Sequence, residues 1–400
     1  MNPVNLPRYV KDGIERAAEK LQFGRQHTVD FDFRNVHSSG SVSIIYQITI
    51  REDLREVALL CKVPPPEADE GLLAMFEREV FVYQQLLPTM AQFLQEQDIP
   101  ETLEDFVFSP TCYHAYFDRK RREGILILEN TTRRLFENRS KPESIDYDHG
   151  RLAMVQLGRF HAISLALKEQ HLAIFEKLQE ELGDVTDDRV ESIPGFKETM
   201  EQAFDKAAET LNVHETSKKE KLSKLKQTFV EELKVIADIE SSEPFCVVCH
   251  GDYSASNLMY SYNGGFPNRL MMLDWQLTRY GSPALDFLHF MFLSTDESFR
   301  RHHYDNMLQT YQNALRDNLE RLGGENATER FPLTTLMRLI RSQAKYAIIM
   351  AMVQIPLVLQ ASPDTADELE QKQTTTESFD KRYQTRMQGL LRDVFRLGYL

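Results

Sequence analysis

The sequence predicts a two-lobed α+β fold, in which a lobe built on an antiparallel sheet and a helix precedes a larger, mainly helical lobe. Two observations lead to this prediction. Before residue 130, apolar residues alternate with polar ones in short runs separated by polar turns, which is typical of antiparallel strands. After residue 130, apolar residues recur mainly at spacings of three and four, which is typical of amphipathic helices. We expect an N-terminal lobe over 1–129 and a C-terminal lobe over 130–400, joined at a hinge.

The N-terminal lobe is predicted to contain five strands. The strand over 42–50 has the clearest alternation, because every second residue from Val42 to Ile50 is apolar. The predicted elements are, in chain order, a helix over 11–21, strands over 28–36, 42–50 and 56–64, a helix over 71–87, and strands over 106–116 and 124–130.

The C-terminal lobe is predicted to be built on helices. In its core helix, Ala153, Leu157 and Phe160 recur on one face, and His161 is expected to be a packed structural residue. Asp286 is expected to lie near the start of a later helix and to steady a neighbouring loop. The further predictions are helices over 304–322, 334–352 and 379–399, with an acidic, Thr-rich loop over 361–378.

A lysine and a glutamate in the N-terminal lobe are candidates for binding phosphate. Lys62 ends the third predicted strand, and Glu79 lies on the helix that follows. A strand lysine held by a helix glutamate is an arrangement that aims the lysine at the α- and β-phosphates of a nucleotide. Taken alone, the two residues are better explained as surface charges. Their place upstream of the segment described next favours the paired arrangement.

One segment of the C-terminal lobe has a spacing that suits phosphoryl transfer. An apolar run leads into His250-Gly251-Asp252, Asn257 follows Asp252 by five residues, and a predicted hairpin then ends at Asp274. The carboxylate of Asp252 can accept a hydroxyl proton, while Asn257 and Asp274 offer the oxygen ligands that Mg²⁺ prefers. The alternative is a polar loop with an Asn turn and a capping Asp.

The turn Ser39-Gly40-Ser41, between the first two strands, is a candidate phosphate-binding loop. Small residues let backbone amides approach phosphate oxygens closely. An ordinary hairpin turn has the same character, so the pattern leaves both interpretations open.

Three stretches, 250–257, 273–276 and 279–286, together resemble the ecdysteroid kinase-like family of insects. That family belongs to the larger group of choline kinases and aminoglycoside phosphotransferases. The resemblance implies a protein-kinase-like fold with ATP and Mg²⁺ as cofactors. It also implies that Leu128, Glu129 and Asn130 form a hinge whose backbone groups hold adenine, although Asn130 stands where the family usually has Asp.

The expected function is that of an ATP-dependent small-molecule kinase. Asp252 is the predicted base, Lys62 the phosphate clamp oriented by Glu79, and Asn257 and Asp274 the metal ligands. The expected acceptor is a hydroxylated lipophile, such as an ecdysteroid or a hydroxylated xenobiotic, bound among apolar residues of the C-terminal lobe. The alternatives are a kinase acting on choline, ethanolamine or an aminoglycoside, and a non-catalytic binding protein with a kinase-like fold.

The composition argues against other partners. The net charge is −14, from 47 Lys and Arg against 61 Asp and Glu, whereas proteins that bind nucleic acid usually show the opposite balance. The N-terminus lacks the apolar core of a signal peptide. The longest apolar run, 346–359, is too short to span a bilayer. We therefore expect a cytoplasmic protein that binds a small-molecule substrate, with no nucleic acid and no membrane span, and its oligomeric state stays open.

Overall fold

The structure of the protein, a computed structural model, describes residues 6–37, 43–97, 108–138, 144–183, 195–234, 239–323, 330–361 and 372–400. In this part of the chain, a five-stranded antiparallel sheet precedes a mainly helical portion. The predicted two-lobed α+β class is therefore confirmed. The exact boundary between 129 and 130 stays a prediction.

The N-terminal sheet consists of five antiparallel strands. These are β1 (Thr28–His37), β2 (Ile44–Glu52), β3 (Arg55–Val63), β4 (Cys112–Asp118) and β5 (Glu123–Glu129). Their order across the sheet is β1-β2-β3-β5-β4, so β5 lies directly beside β3. In this pairing Lys62 is opposite Leu126, which places the end of β3 beside the strand that leads to the predicted hinge.

Helices cover both faces of the sheet. On one face, α1 (Arg8–Lys20) shares a buried apolar cluster with Ile125 and Ile127 of β5. The alternate residues of β5, Leu126 and Leu128, belong to the larger core on the other face, together with α2 (Glu70–Phe81). A π-helical turn, Val82–Leu86, joins α2 to α3 (Leu87–Glu96), so the helix predicted over 71–87 is longer than expected.

The C-terminal lobe contains α4, whose residues are mostly buried. In the described part of the lobe, the helices are α4 (Tyr147–Gln170), α5 (Leu172–Leu182), α6 (Phe196–Glu209), α7 (Thr216–Lys234), α8 (Ala284–Leu293), α9 (Glu297–Arg321), α10 (Leu333–Ala361) and α11 (Lys372–Arg396). A Cβ atom on Gly158 of α4 would lie 2.7 Å from the backbone nitrogen of Leu315, so glycine permits α4 and α9 to pack this closely.

The end of the chain differs from the prediction. Helix α11 begins at Lys372, so the loop predicted over 361–378 is wrong from that residue onward, while 362–371 lie outside the described residues. Threonine has a modest helix propensity, but propensity is a weak guide that the rest of a long helix overrides.

Two small antiparallel sheets carry the loops of the predicted site. One pairs β7 (Val247–Cys249) with β10 (Arg279–Gly281). The other contains the hairpin of β8 (Leu258–Asn263) and β9 (Phe266–Met272), with β6 (Glu137–Asn138) beside β8. The hairpin therefore lies between Asn257 and Asp274, as the sequence predicts.

Among the described helices, the segment Leu333–Leu359 of α10 is long and apolar enough to cross a membrane by length and composition. Of its most apolar window, 56% is buried inside the protein, and core helices pass the same test. This segment is longer than the apolar run noted in the sequence. The absence of a membrane span stays a prediction.

Candidate active site

A cavity of about 500 Å³ lies between the N-terminal sheet and the loops that follow β7 and β9. Six predicted site residues line it together: Lys62, Glu79, Leu128, Asn130, Asn257 and Asp274. The rest of the wall is partly apolar, formed by Ile45, Leu60, Met259 and Leu273. The cavity is therefore lined by both apolar and charged side chains.

Lys62 is held between two carboxylates. Its Nζ lies 2.6 Å from Glu79 Oε2 and 2.7 Å from Asp274 Oδ1. Burial lowers the pKa of Lys62, but these two carboxylates outweigh that effect and keep its pKa above the ordinary value. Lys62 is thus a positive charge fixed at the cavity wall by residues of α2 and of the loop after β9.

The catalytic-loop candidate, His250-Gly251-Asp252, follows β7 and makes a turn that only glycine fits. Gly251 has φ +86°, and a Cβ atom at this position would lie 1.8 Å from the carbonyl oxygen of Leu277. His250 joins this loop to the end of the hairpin, because its Nε2 lies 3.0 Å from the carbonyl oxygen of Leu273. The loop and Asp274 are therefore held in one unit.

Asp252 accepts one hydrogen bond at each carboxylate oxygen. His289 Nε2 lies 2.8 Å from Oδ1, and Asn257 Nδ2 lies 2.9 Å from Oδ2. Burial raises the pKa of Asp252, but the hydrogen bond from His289 and the other nearby donors outweigh it, so the pKa lies below its ordinary value. The carboxylate is ionised near neutral pH and 21% exposed. It can therefore accept a proton from a bound hydroxyl group.

Asn257 and Asp274 present oxygen atoms suited to a hard cation. The amide nitrogen of Asn257 donates to Asp252, which leaves its amide oxygen as the ligand atom. Asp274 has a left-handed backbone, φ +64°, and its Oδ2 accepts a hydrogen bond from Gln276 at 3.1 Å. A carboxylate and an amide oxygen on one wall fit the ligand preference of Mg²⁺. Their role as metal ligands stays a prediction.

A buried network of Asp286, His161 and Tyr311 contacts the backbone of the catalytic-loop candidate. Asp286 accepts hydrogen bonds from the backbone N–H groups of His250, at 2.7 Å, and Gly251, at 2.9 Å. His161 lies 3.2 Å from the same carboxylate and 2.8 Å from the Tyr311 hydroxyl. Burial raises the pKa of Asp286, but these partners outweigh it and lower the pKa to about 2. The predictions that Asp286 steadies the loop and that His161 is a packed residue are confirmed.

The other predicted nucleotide-binding residues are placed differently from one another. Leu128 and Asn130 line the cavity, as predicted for a hinge. Glu129 does not: its carboxylate accepts hydrogen bonds from Thr111, at 3.2 and 3.1 Å. Because alternate strand residues face opposite ways, Glu129 points away from Leu128. Ser39, Gly40 and Ser41 lie outside the described residues.

The apolar residues expected to form an acceptor pocket are mostly core. Seven of them are at most 1% exposed: Phe287, Phe290, Met291, Phe292, Ile348, Ile349 and Met352. Such side chains pack against each other and leave no surface for a ligand. The sequence leads us to expect that most apolar residues of this lobe are core and that some line an acceptor pocket, and these seven belong to the core.

The main residue that sequence reasoning missed is His289. It lies on α8, three residues after Asp286, and contacts Asp252. A signal for it exists in hindsight, because residues three apart on a helix share a face. Thr131, Thr132 and Gln276 also line the cavity without having been predicted.

The two-lobed fold and the family match over residues 40–324 identify a phosphotransferase that uses an alcohol group as acceptor. More particularly, the chain belongs to the ecdysteroid kinase-like family, whose model matches residues 40–324. No curated relative matches the chain.

Several solved structures resemble the chain distantly over most of its length. An ethanolamine kinase of Plasmodium vivax is 14% identical, covers 93% of this chain and 83% of its own, and has a TM-score of 0.42. A spectinomycin phosphotransferase in complex with ADP and spectinomycin is 12% identical, with coverages of 93% and 94% and a TM-score of 0.40. A microcompartment-associated aminopropanol kinase is 12% identical, with coverages of 97% and 98% and a TM-score of 0.39. The family assignment does not depend on these likenesses.

Proposed function

We propose that the protein transfers the γ-phosphoryl group of ATP to a hydroxyl group of a lipophilic small molecule, such as an ecdysteroid or a hydroxylated xenobiotic. One observation carries the kinase part of this proposal. Lys62 is fixed between Glu79 and Asp274 in a cavity that Asn257 also lines. A lysine held by a helix glutamate beside an oxygen-rich loop is the arrangement expected for clamping nucleotide phosphates.

The nucleotide would occupy the cavity with its base against apolar side chains. Leu60, Leu128 and Met259 line the cavity, and so does Asn130 of the predicted hinge. Lys62 would bind the phosphates. Pockets of this kind, mainly apolar with a few placed polar groups, are typical of small-molecule sites.

Asn257 and Asp274 would hold Mg²⁺, since both offer hard oxygen ligands. When bound, the ion offsets negative charge on the phosphates. The side chain of Asp274 also contacts Lys62, at 2.7 Å, so the lysine that would bind the phosphates lies beside the carboxylate that would hold the ion.

Asp252 is the proposed general base. Its ionised carboxylate would accept the proton of the acceptor hydroxyl as the new oxygen–phosphorus bond forms. The bond from the γ-phosphorus to the bridging oxygen breaks, and ADP leaves with that oxygen. The remaining lone pairs of the Asp252 oxygens are available for the hydroxyl, because each oxygen accepts one hydrogen bond from His289 or Asn257.

The lipophilic acceptor is supported by the family alone. The direct test is a panel of hydroxylated steroids, choline, ethanolamine and an aminoglycoside, each assayed with purified protein, Mg²⁺ and γ-labelled ATP and compared by kcat/KM. We expect the highest kcat/KM for a hydroxylated steroid. Preference for choline, ethanolamine or the aminoglycoside would contradict the lipophilic acceptor and leave the kinase proposal standing.

A second measurement separates a kinase from a non-catalytic binding protein. Thermal unfolding is followed with ATP and Mg²⁺, and with ATP and a chelator. Ligand binding to the folded state raises the unfolding temperature. We expect a larger increase with Mg²⁺ than with the chelator, together with transfer to at least one acceptor. Binding without transfer to any acceptor would support the non-catalytic alternative.

A further inference from the structure

Helix α8 presents two polar side chains to the catalytic-loop candidate. Asp286 and His289 are three residues apart, so they lie on one face of the helix. Asp286 accepts from the backbone N–H groups of His250 and Gly251. His289 Nε2 lies 2.8 Å from the carboxylate of Asp252. The helix therefore contacts three consecutive loop residues, the first two through their backbone and the third through its side chain.

His289 donates to Oδ1 of Asp252, the carboxylate oxygen that Asn257 does not contact. Asn257, five residues after Asp252, donates to Oδ2 at 2.9 Å. His289, from a separate helix, lies against Oδ1. The torsion that turns an aspartate carboxylate has broad minima, so one donor leaves the group free to rotate. Donors at both oxygens fix its plane.

The ionised carboxylate of Asp252 determines which atom of the contact with His289 is the donor. An ionised carboxylate only accepts hydrogen bonds, so His289 Nε2 carries the hydrogen. Hydrogen bonds to an ionised group are shorter and stronger than those between neutral groups, and 2.8 Å fits that class. Since Asp252 is 21% exposed and His289 11%, the pair borders open space and is not part of the packed core.

We propose that His289 is a positioning residue for phosphoryl transfer: it sets the orientation of the Asp252 carboxylate toward the acceptor hydroxyl. This inference rests on the proposed function, because it assigns His289 a part in the reaction of Asp252. It predicts that His289 affects the chemical step and leaves nucleotide binding alone, since His289 does not line the nucleotide cavity.

The test compares three variants with an accepted alcohol. His289→Phe removes the donor, whereas His289→Gln places an amide N–H close to the position of Nε2. The matched control is His302→Phe, which changes an exposed histidine on α9. Misplacing a reacting group typically costs up to about 100-fold, so we expect His289→Phe to lower kcat by about 10–100-fold. The KM for ATP is expected to be unchanged in every variant, and His302→Phe to retain full kcat.

Rescue distinguishes a hydrogen bond from mere packing. We expect His289→Gln to recover most of the kcat that His289→Phe loses. If His289→Phe does not fold, His289→Leu takes its place as the variant without a donor. Unchanged kcat in the donor-free variant would overturn the inference, and so would a folded His289→Gln that is as slow as the donor-free variant.

Activity of the wild-type protein distinguishes a failure of the proposed kinase function from a failure of the proposed role of His289. A wild type that transfers no phosphoryl group to any acceptor overturns the proposed function and this inference with it. A wild type that transfers, paired with an equally fast donor-free variant, overturns only the role of His289.

Discussion

Two aspartate–histidine pairs contact the catalytic-loop candidate, one on the side of the cavity and one on the buried side. They differ in how many hydrogen-bond donors surround the aspartate carboxylate. On the cavity side, Asp252 pairs with His289 and is 21% exposed. On the buried side, Asp286 pairs with His161, and these side chains are 1% and 0% exposed. Both pairs consist of the same residue types, so residue type alone does not distinguish them.

The number of donors around each carboxylate does distinguish them. Asp286 is approached by His161 and by the backbone N–H groups of His250 and Gly251. Asp252 has one donor at each oxygen, and it is accessible. A carboxylate saturated with buried donors is structural, because it cannot reach a substrate. A carboxylate with spare lone pairs at a cavity can react.

Among the residues that line the cavity, the largest effect on phosphoryl transfer is expected for Lys62→Met. Removing one preorganised charge or donor from such a site typically costs about 10²–10³ in kcat. We therefore expect a loss of that size in phosphoryl transfer, measured as kcat with an accepted alcohol. Retention of wild-type kcat would contradict the clamp role of Lys62.

A double variant separates this loss from instability. Lys62→Met leaves the carboxylate of Glu79, 1% exposed, without its cation, which destabilises a fold. In Lys62→Met/Glu79→Gln that buried charge is absent. We expect transfer to be lost in both proteins and the thermal unfolding temperature to recover in the double variant.

The next largest effect is expected on Mg²⁺-dependent ATP binding, when the predicted metal ligand Asp274 is removed. Asp274→Ala is expected to weaken ATP binding in the presence of Mg²⁺ by about 10–100-fold, a range typical of disturbed metal sites. Binding with a chelator should change much less. Calorimetric titration of both proteins under both conditions measures this difference. Equal losses with and without Mg²⁺ would show that Asp274 is not a metal ligand.

The smallest effect is expected on the buried side, and it appears in stability. The pKa of Asp286 is lowered from 3.8 to about 2 in the folded protein. This lowering of the pKa corresponds to about 2.5 kcal/mol, so Asp286→Asn is expected to lower the free energy of unfolding by about that amount at neutral pH. Chemical denaturation measures it.

The stabilisation by Asp286 is expected to depend on pH in a defined direction. Because the folded pKa is depressed, the stabilisation is present above pH 3.8 and is lost as pH falls toward 2. The difference between wild type and Asp286→Asn should therefore shrink over that range. A difference that stays constant down to pH 2 would mean that the Asp286 charge does not support the loop.

The residues at the cavity could be predicted from the sequence because short motifs and the periodicity of neighbouring residues indicate their positions. Asp252 and Asn257 share one loop, and a hairpin with clear turn residues carries the chain to Asp274. The strand-end position of Lys62 and the helical position of Glu79 follow from apolar periodicity. All of these except Asp252 line the cavity, and Asp252 contacts Asn257 beside it.

What the sequence did not predict depends on contacts between distant elements. His289 reaches Asp252 through the docking of α8 against the loop, and its three-residue spacing from Asp286 shows a shared helix face but not the contact to Asp252. The contact of the Glu129 side chain with Thr111 was not predicted, while the hinge role of the Glu129 backbone groups stays a prediction. Phe287 and Ile348 are equally apolar in a pocket or in a core, and only packing decides between the two.

The central claim is that Asp252 accepts the proton of an acceptor hydroxyl in an intact nucleotide site. The most direct test is single-turnover transfer from γ-labelled ATP to an accepted alcohol, comparing wild type with Asp252→Asn at saturating Mg²⁺ and ATP. A positioned base contributes about 10²–10⁴-fold, so we predict a loss of that size with unchanged ATP affinity and unfolding temperature. Transfer by folded, ATP-bound Asp252→Asn at close to the wild-type rate would contradict the account.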